Sequence, residues 1–296
     1  MKIQETRKPI EFTVPTYGED AFYVMEDIGE FYGYYHRHRE FQISYIVKGS
    51  GSLMIGNLLR TGDEGDVFLI KPNDPHLFYK ENSVIAATNV HIVHLFFSLD
   101  KLETFFNMAE LSAIKNLFYH LESSKMLSGS LGLNLRDLFR NLKHEKGSKK
   151  LMRVLEVFSL ILQREKDLIS LYSGLTQLDF HESDGIRINT VIKYALDNYK
   201  RNLTVDEVSS LIHMTSTAFC KFFKKHTQKT FVTFLNEVRV EKACQLLVNK
   251  RVESISEAAY QCGFNTAVHF NRVFKNIMKV SPTEFVAQRS IEEKSI

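Results

Sequence analysis

Two stretches in the C-terminal third of the chain repeat one pattern of side chains, and this repeat limits the fold more than any other feature. Residues 254–285 predict a short helix, a turn at Cys262–Gly263–Phe264 and a second helix. Apolar side chains in that second helix recur at i, i+3, i+4 and i+7, and they are Phe270, Val273, Phe274 and Ile277. Residues 204–234 carry the same pattern, with Phe219, Phe222 and Phe223 standing 51 positions earlier. The chain therefore predicts two helix-turn-helix units, whose second helices can enter the DNA major groove.

The outward faces of the two second helices hold the candidate DNA-binding residues. They are Ser216, Thr217, Cys220, Lys221 and Lys224 in the first copy, and Ala267, Val268, Asn271, Arg272 and Lys275 in the second. Hydroxyl, amide and cationic groups bind phosphates and base edges, although a lysine on an amphipathic helix is often only solvated. The first helices align at an offset of 50, with Glu207 matching Glu257, so the second copy has one more turn residue. Thr204 and Glu207 predict a capping box, and Thr215 or Ser216 is expected to cap the next helix.

Four motifs in this region resemble the AraC/XylS family of bacterial transcription regulators. They are VRVEKACQLL (238–247), SISEAAYQCGF (254–264), HFNRVFKN (269–276) and VSPTEF (280–285). The resemblance implies two helix-turn-helix units joined by a long helix, here about Phe231 to Leu247, that bind a double-stranded DNA operator, with RNA polymerase as a further partner. Gln228 and Lys279 stand where the family usually has glycine, and Val286 replaces a common arginine.

The N-terminal part, from about residue 21 to 97, consists of short β-rich runs broken by glycine and proline, which favour an antiparallel sandwich or barrel. The order of histidines, glycines and prolines in this region resembles the cupin barrel that many of these regulators carry. That resemblance implies a small-molecule effector site, for which the candidate residues are His36, His38, Glu40 and His76.

The same residues raise a second hypothesis, because many cupin enzymes bind a metal with an HxH pair, a glutamate and a later histidine. His36 and His38 point to one face of a strand, as metal ligands would. In those enzymes, however, the glutamate follows the second histidine by four or five residues, whereas Glu40 follows His38 by two. We therefore expect no metal, no cofactor and no enzyme activity, and keep a cupin metalloenzyme with a helical appendage as the alternative. His91 and His94 are interpreted as buried strand histidines.

Residues 101–170 show helical periodicity, with breaks near 128–129 and 147–148, and one segment has a broad apolar stripe. The stripe comprises Leu151, Val154, Leu155, Phe158, Ile161 and Leu162. It fits two interpretations, packing against the barrel's own helices or dimerisation. Residues 171–185 lack a steady period and are interpreted as a linker, and a helix is expected around 189–199.

Charge is distributed unevenly along the chain. Residues 186–296 contain 17 Lys and Arg against 10 Asp and Glu, a net charge of +7, whereas residues 1–185 have 21 against 25, a net of −4. The basic part is the one with the repeated helix pairs, and positive charge supplies most non-specific affinity for DNA. The sequence lacks a run long enough to cross a membrane and a signal-peptide core, which predicts a cytoplasmic protein. Cys220, Cys244 and Cys262 are expected to be reduced.

The sequence thus predicts an α+β protein of two domains. Residues 1–170 form a cupin-like sensing and dimerisation domain, with an extended arm before about residue 21, and residues 186–296 form an all-α domain of two helix-turn-helix units. The predicted function is that of a homodimeric, sequence-specific transcription regulator controlled by a small-molecule effector.

Overall fold

The computed structural model of the chain describes residues 14, 20–29, 31–56, 58–79, 90–128, 133–171, 182–248 and 250–294. The predicted N-terminal arm lies outside these residues except for Val14 and Asp20. The chain divides into two compact units, one of residues 1–58 and 62–185, the other of residues 59–61 and 186–296.

The first unit contains two antiparallel sheets. The larger has the order β1-β7-β2-β5-β8-β9 and the smaller the order β4-β3-β6. The strands are β1 (Phe22–Ile28), β2 (Phe41–Lys48), β3 (Gly51–Ile55), β4 (Leu58–Gly62), β5 (Val67–Ile70), β6 (His76–Tyr79), β7 (His91–Phe97), β8 (Lys125–Leu127) and β9 (Ile169–Ser170). The predicted barrel region therefore has seven of the described strands, β1 to β7.

Strand β2 has side chains buried on both faces of the larger sheet. Successive side chains of a strand point to opposite faces. Phe41, Ile43, Tyr45 and Val47 belong to a core shared with the helices, while Ile46 belongs to a second core between the two sheets. The polar Gln42 and Ser44 share the inner face with Ile46 and are buried as well. Because both faces are covered, the strand is almost continuously buried rather than alternating with exposed residues.

The described residues of this unit after β7 include four α-helices. They are α1 (Leu99–Leu102), α2 (Ser112–Tyr119), α3 (Leu133–Leu142) and α4 (Gly147–Gln163). The apolar stripe of α4 packs into the core of its own unit: Val154, Phe158 and Ile161 are fully buried. The Phe158 ring lies with its centroid 4.8 Å from that of Phe118 and 4.9 Å from that of Phe97. Packing therefore accounts for the stripe, and the stripe itself is not an exposed dimerisation surface.

Two expectations for residues 101–185 are wrong. The stretch predicted to be helical also contains β8 and β9, and β8 pairs with β5 through Val67 and Leu127. Strands of three and two residues are too short to produce a visible period, and their partners lie far away in sequence. The predicted linker ends earlier than expected, because helix α5 spans Glu182–Asn198; residues 172–181 lie outside the described chain. The polar end of this stretch contains Glu182 and Asp184, and acidic residues are typical of a helix's first turn.

Among the described residues of 186–296, every secondary-structure element is a helix. After α5 come α6 (Val205–Leu211), α7 (Ser216–Thr227), α8 (Phe231–Val248), α9 (Ile255–Gln261), α10 (Ala267–Met278) and α11 (Pro282–Lys294). Helices α6 and α9 begin 50 residues apart, and α7 and α10 begin 51 apart, which confirms the predicted offsets. The long helix α8 joins the two pairs, as expected.

The caps of the helices repeat with the same offsets. The side chains of Thr204 and Ser254 accept hydrogen bonds from the backbone of Glu207 and Glu257, and Thr215 and Thr266 cap α7 and α10 in the same way. The Glu207 carboxylate accepts hydrogen bonds from Tyr194 and Arg201, and a backbone hydrogen bond from Thr204 also helps to lower the pKa of Glu207, as the predicted capping box requires. Side-chain caps satisfy N–H groups that a helix leaves unpaired at its start. The residues next to the starts of α7 and α10 therefore determine where these helices begin.

Helices α7 and α10 both end in a left-handed residue that is not glycine. Gln228 has φ 56° and Lys279 has φ 67°, and each donates its backbone N–H to the carbonyl four residues earlier. The left-handed conformation strains a residue with a Cβ by about 1–2 kcal/mol. Part of this strain is offset, because a residue other than glycine loses less backbone entropy on folding. We expect Gln228→Gly and Lys279→Gly each to raise the free energy of unfolding by about 0.5–1 kcal/mol, measured by urea denaturation with circular dichroism.

Lys221→Gly is the matched control, since Lys221 is exposed in the middle of α7. Glycine inside a helix costs about 1 kcal/mol, so this variant should be less stable than wild type. Destabilisation by all three substitutions would contradict the left-handed conformation at Gln228 and Lys279.

Candidate functional site

Helix α7 presents most of the predicted DNA-binding residues of the first repeat to solvent. Thr217, Cys220, Lys221 and Lys224 are exposed, while Phe219, Phe222 and Phe223 on the other face are buried. Ser216 is half-buried, and its hydroxyl donates a hydrogen bond to the Asp206 carboxylate in α6. That bond joins α6 to α7, and a DNA contact by Ser216 stays a prediction.

Helix α10 presents a larger and more varied face. Asn271, Arg272 and Lys275 are exposed, Ala267 is half-buried, and Val268 is 81% exposed. An aliphatic side chain with that exposure is unusual beside the buried Phe270 and Phe274. The face therefore combines amide, guanidinium, ammonium and methyl groups, which together cover the main modes of major-groove recognition.

The turn between α9 and α10 depends on Gly263. Its φ is +85°, and a Cβ at this position would lie 2.7 Å from the carbonyl oxygen of Tyr199 and 2.8 Å from that of Lys200. Only glycine fits such an approach to another backbone. The equivalent residue in the first repeat, His213, is also left-handed, with φ 56°. The expected tight bend is present in both copies.

The buried Arg239 in α8 positions the same region, and sequence reasoning missed it. Its guanidinium donates to the carbonyl oxygens of Tyr199 and Arg201, each at 2.8 Å, and lies 5.7 Å from the centroid of the Phe264 ring. Arg239 therefore joins α8 to the end of α5 and to the turn before α10. Arg239 lies between Val238 and Val240, which are both fully buried. A charged residue between two valines was the sequence pattern that could have indicated a buried arginine.

A second cluster of polar side chains lies inside the first unit. His36, His38 and His76 are all buried, and His36 and His76 form an isolated β-bridge. The His76 ring centroid lies 4.4 Å from that of His36 and 5.0 Å from that of His38. Burial lowers the pKa of all three, that of His36 to about 3, so the rings are neutral at neutral pH.

The residue that completes this cluster is Gln42 rather than Glu40. The Gln42 side-chain oxygen lies 2.8 Å from Nε2 of His38 and 3.1 Å from Nε2 of His76. The Glu40 carboxylate lies 3.8 Å from the other ring nitrogen of His38, and the side chain is 25% exposed. Gln42 follows His38 by four residues, which is the spacing of the glutamate in metal-binding cupins, and that spacing was the available signal.

Further polar groups extend the cluster along the inner face of the sheet. The Gln42 amide also lies 2.8 Å from the Ser44 hydroxyl and 3.0 Å from Nδ1 of His94. His94 is buried as expected, and its Nε2 lies 3.4 Å from the Asp27 carboxylate. His91 is only partly buried, so the interpretation of both as buried strand histidines holds for one of them. The cluster and its extension form a continuous polar strip along the inner face of the sheet.

None of the three cysteines forms a disulfide: Cys220 is exposed, and Cys244 and Cys262 are buried. Among the described helices, none combines the length and the apolar character that crossing a membrane requires.

Comparisons with known domains agree with this arrangement. A model of the AraC-like ligand binding domain matches residues 26–160, and a model of a helix-turn-helix domain matches residues 208–288. A ligand-binding unit combined with two helix-turn-helix units defines a DNA-binding transcription regulator. Together the two domain models match more than two thirds of the chain. The chain belongs to the AraC family of transcription regulators.

Individual relatives are distant but match over most of their length. The chain is 25% identical over 243 residues to the Msm operon regulatory protein of Streptococcus mutans, covering 82% of each chain. It is 23% identical over 249 residues to the HTH-type transcriptional activator RhaS of Escherichia coli, covering 84% of this chain and 86% of the relative. A crystal structure of ToxT from Vibrio cholerae, bound to (E)-4-(8-methylnaphthalen-1-yl)but-3-enoic acid, matches 91% of this chain and 100% of that chain with 16% identity and a TM-score of 0.35.

Proposed function

We propose that α7 and α10 bind adjacent segments of one operator in the DNA major groove. The observation that carries this proposal is the repeated helix pair, in which each second helix buries its aromatic face and exposes polar and cationic side chains. Helix α8, which joins the pairs, has 18 residues and is about 27 Å long at 1.5 Å per residue. A connection of that length suits two contacts about 34 Å, one DNA turn, apart.

The side chains of α10 have separate roles in this proposal. Arg272 bonds to O6 and N7 of a guanine, because a guanidinium matches that pair of acceptors. Val268 contacts the methyl group of a thymine, the apolar feature of the groove. Lys275 lies one helical turn after Asn271 and binds phosphate, as does Lys224 in α7. The remaining candidates, Thr217, Cys220, Lys221, Ala267 and Asn271, line the same two faces.

The proposed effector site is the polar strip of the first unit. His36, His38 and His76, with Gln42 beside them, offer neutral hydrogen-bonding groups in a buried setting, which suits recognition of a small polar molecule. Glu40 lies at the edge of this group. Control of transcription requires that the effector bind two arrangements of the protein with different affinity.

The remaining features of the proposed function follow from family membership. We propose a cytoplasmic homodimer that assembles through the first unit, contacts RNA polymerase at the promoter, and has a regulatory rather than a catalytic role. Because the α4 stripe is used inside its own unit, the dimer contact is expected on other surfaces of that unit.

The test of DNA recognition begins with the full chain and a random pool of double-stranded DNA, from which the operator is selected. Arg272→Ala should then weaken binding to that operator by about 1–3 kcal/mol and relax the preference at one base pair. Lys275→Ala should weaken operator and random DNA equally and reduce the salt dependence of binding. Affinities are measured by fluorescence anisotropy against the operator and its single-base variants.

The contrast between the two variants is the control. If Arg272→Ala weakens all sequences equally while Lys275→Ala changes base preference, the two roles are reversed. If the folded wild-type chain selects no sequence and binds no DNA at low salt, the proposed function is wrong.

A further inference from the structure

Helices α7 and α10 have different side chains at equivalent positions of the repeat. Where α10 has Val268, Asn271 and Arg272, α7 has Thr217, Cys220 and Lys221. All six side chains are exposed. The two helices have the same length of 12 residues, and each begins with a threonine cap. The two exposed faces therefore differ in their chemistry rather than in the way the chain builds them.

The side chains of α10 suit the recognition of particular bases. A side-chain amide such as that of Asn271 pairs with N6 and N7 of adenine through two hydrogen bonds, as the Arg272 guanidinium does with O6 and N7 of guanine. Two bonds from one planar group discriminate against the other bases, because those bases present different atoms in the groove. Val268, which is 81% exposed, adds an apolar contact that the methyl group of thymine satisfies. Each of the three side chains therefore prefers one base.

The side chains of α7 at the same positions select bases weakly. The thiol of Cys220 is a weak hydrogen-bond donor and a weak acceptor. The Lys221 ammonium is a compact charge on a flexible stem, and its rotatable donors fix no single arrangement. The Thr217 hydroxyl both donates and accepts, so it bonds to several different bases. These groups do not form the planar pair of bonds that Asn271 and Arg272 offer.

Helix α7 also carries more positive charge on its exposed surface than α10 does. Lys221, Lys224 and Lys225 are exposed in α7, whereas Arg272 and Lys275 are the exposed cations of α10. Among the described residues, none of the three α7 lysines forms an ion pair with a carboxylate. Contacts between lysines and phosphates supply affinity that does not depend on the base sequence. The face of α7 therefore suits binding of the DNA backbone more than reading of its bases.

We propose that α10 determines the base sequence of the operator, while α7 contributes mainly affinity through phosphate contacts. This inference rests on the proposed function and adds a division of roles between the two helices. The operator should then consist of one strictly defined segment and, about one DNA turn away, a second segment that tolerates many sequences. Asn271 and Arg272 are about 1.5 Å apart along the helix axis, which is less than the rise of about 3.4 Å between base pairs. The required adenine and guanine are therefore expected within about two base pairs of each other.

The first test uses the operator that the full chain selects from random double-stranded DNA, together with its single-base variants. Fluorescence anisotropy should show that substitutions in one segment weaken wild-type binding by about 10-fold or more, and those in the other segment by less than about 3-fold. Two equally strict segments would overturn the division of roles while leaving the proposed function intact. If the folded wild-type chain binds no DNA at low salt, the proposed function fails as well.

Exchanging side chains between the repeats assigns each segment to its helix. Asn271→Cys combined with Arg272→Lys gives α10 the groups of α7, and substitutions in the strict segment should then weaken binding by less than about 3-fold. Cys220→Asn combined with Lys221→Arg gives α7 the groups of α10, and a new selection should then yield two strict segments. All four positions are exposed, and circular dichroism establishes that each variant is folded. The proposal is wrong if the folded α10 variant keeps the full base preference of wild type, or if the folded α7 variant loses it.

Salt dependence measures the phosphate contacts of α7. Lys224→Ala combined with Lys225→Ala should weaken binding to the operator and to random DNA by the same factor, and should reduce the slope of log K against log salt concentration by about 2. Lys193→Ala is the matched control, because Lys193 is an exposed lysine in α5, outside the two candidate DNA-binding faces, and its loss should leave the slope unchanged. An unchanged slope in the folded α7 lysine variant would contradict the role assigned to α7.

Discussion

Gly263→Ala is expected to destabilise the DNA-binding unit by about 3 kcal/mol and to reduce operator binding with it. The added Cβ would lie 2.7 and 2.8 Å from two carbonyl oxygens of the backbone, at Tyr199 and Lys200. These backbone oxygens cannot move away as the end of a flexible side chain can. The turn between α9 and α10 must therefore shift to relieve the clash. A positive φ of 85° adds about 1–2 kcal/mol for any residue with a Cβ.

Gly29→Ala separates the two contributions. Gly29 has a similar φ of +76°, but among the described residues, its two chain neighbours aside, no atom lies within 4 Å of the position its Cβ would take. This control should show only the conformational cost, and it should leave operator affinity as in wild type. Urea denaturation followed by circular dichroism measures both variants. Equal destabilisation by the two substitutions would mean that the close approach to Tyr199 and Lys200 is absent.

Arg239→Met is expected to lower the free energy of unfolding by about 2–3 kcal/mol. Methionine keeps much of the apolar stem but removes both hydrogen bonds, so the carbonyl oxygens of Tyr199 and Arg201 lose a charged donor in a buried setting. Arg239→Lys should fall between wild type and Arg239→Met, because an ammonium group cannot reproduce the planar fork that reaches both carbonyls. Thermal and urea unfolding of the full chain measure the series.

The matched control is Arg251→Met, since Arg251 is exposed in the same unit. Its substitution should change the stability by less than about 0.5 kcal/mol. If Arg251→Met costs as much as Arg239→Met, the effect is one of net charge, and the two buried hydrogen bonds do not explain it. A stability of Arg239→Lys equal to that of wild type would likewise exclude the planar fork as the reason for arginine.

The features that sequence predicted correctly are those encoded within a few residues. Helix periodicity, the caps at Thr204 and Thr215 and the bend at Gly263 each depend on neighbours in the chain. The repeat contains two copies of these signals. The observed helices begin 50 and 51 residues apart, as the offsets in the sequence predict. The helix-turn-helix units were therefore predictable in position and in outward face.

The features that sequence missed depend on distant partners. The apolar stripe of α4 has the same sequence pattern whether it packs inside its own unit or against a second copy. The contacts of Phe158 with Phe97 and Phe118 show that it packs inside its own unit. Strand β8 exists because β5 pairs with it, and Arg239 matters because its partners lie about forty residues earlier. Periodicity placed Ser216 on the outward face of α7, but it could not show the hydrogen bond that Ser216 donates to Asp206 in α6. Gln42 was missed because its contacts with His38 and His76 are made across the sheet and leave no periodic signal.

The alternating faces of β2 have a consequence for how this protein can evolve. Gln42 and Ser44 face the polar strip, while Phe41, Ile43 and Tyr45 pack against the helical side, where the Tyr45 ring stacks on Phe139 of α3. Substitutions at the even-numbered positions can change what the interior recognises without altering the packing of the helices. One strand thus separates the side chains that face the proposed effector site from those that hold the helices in place.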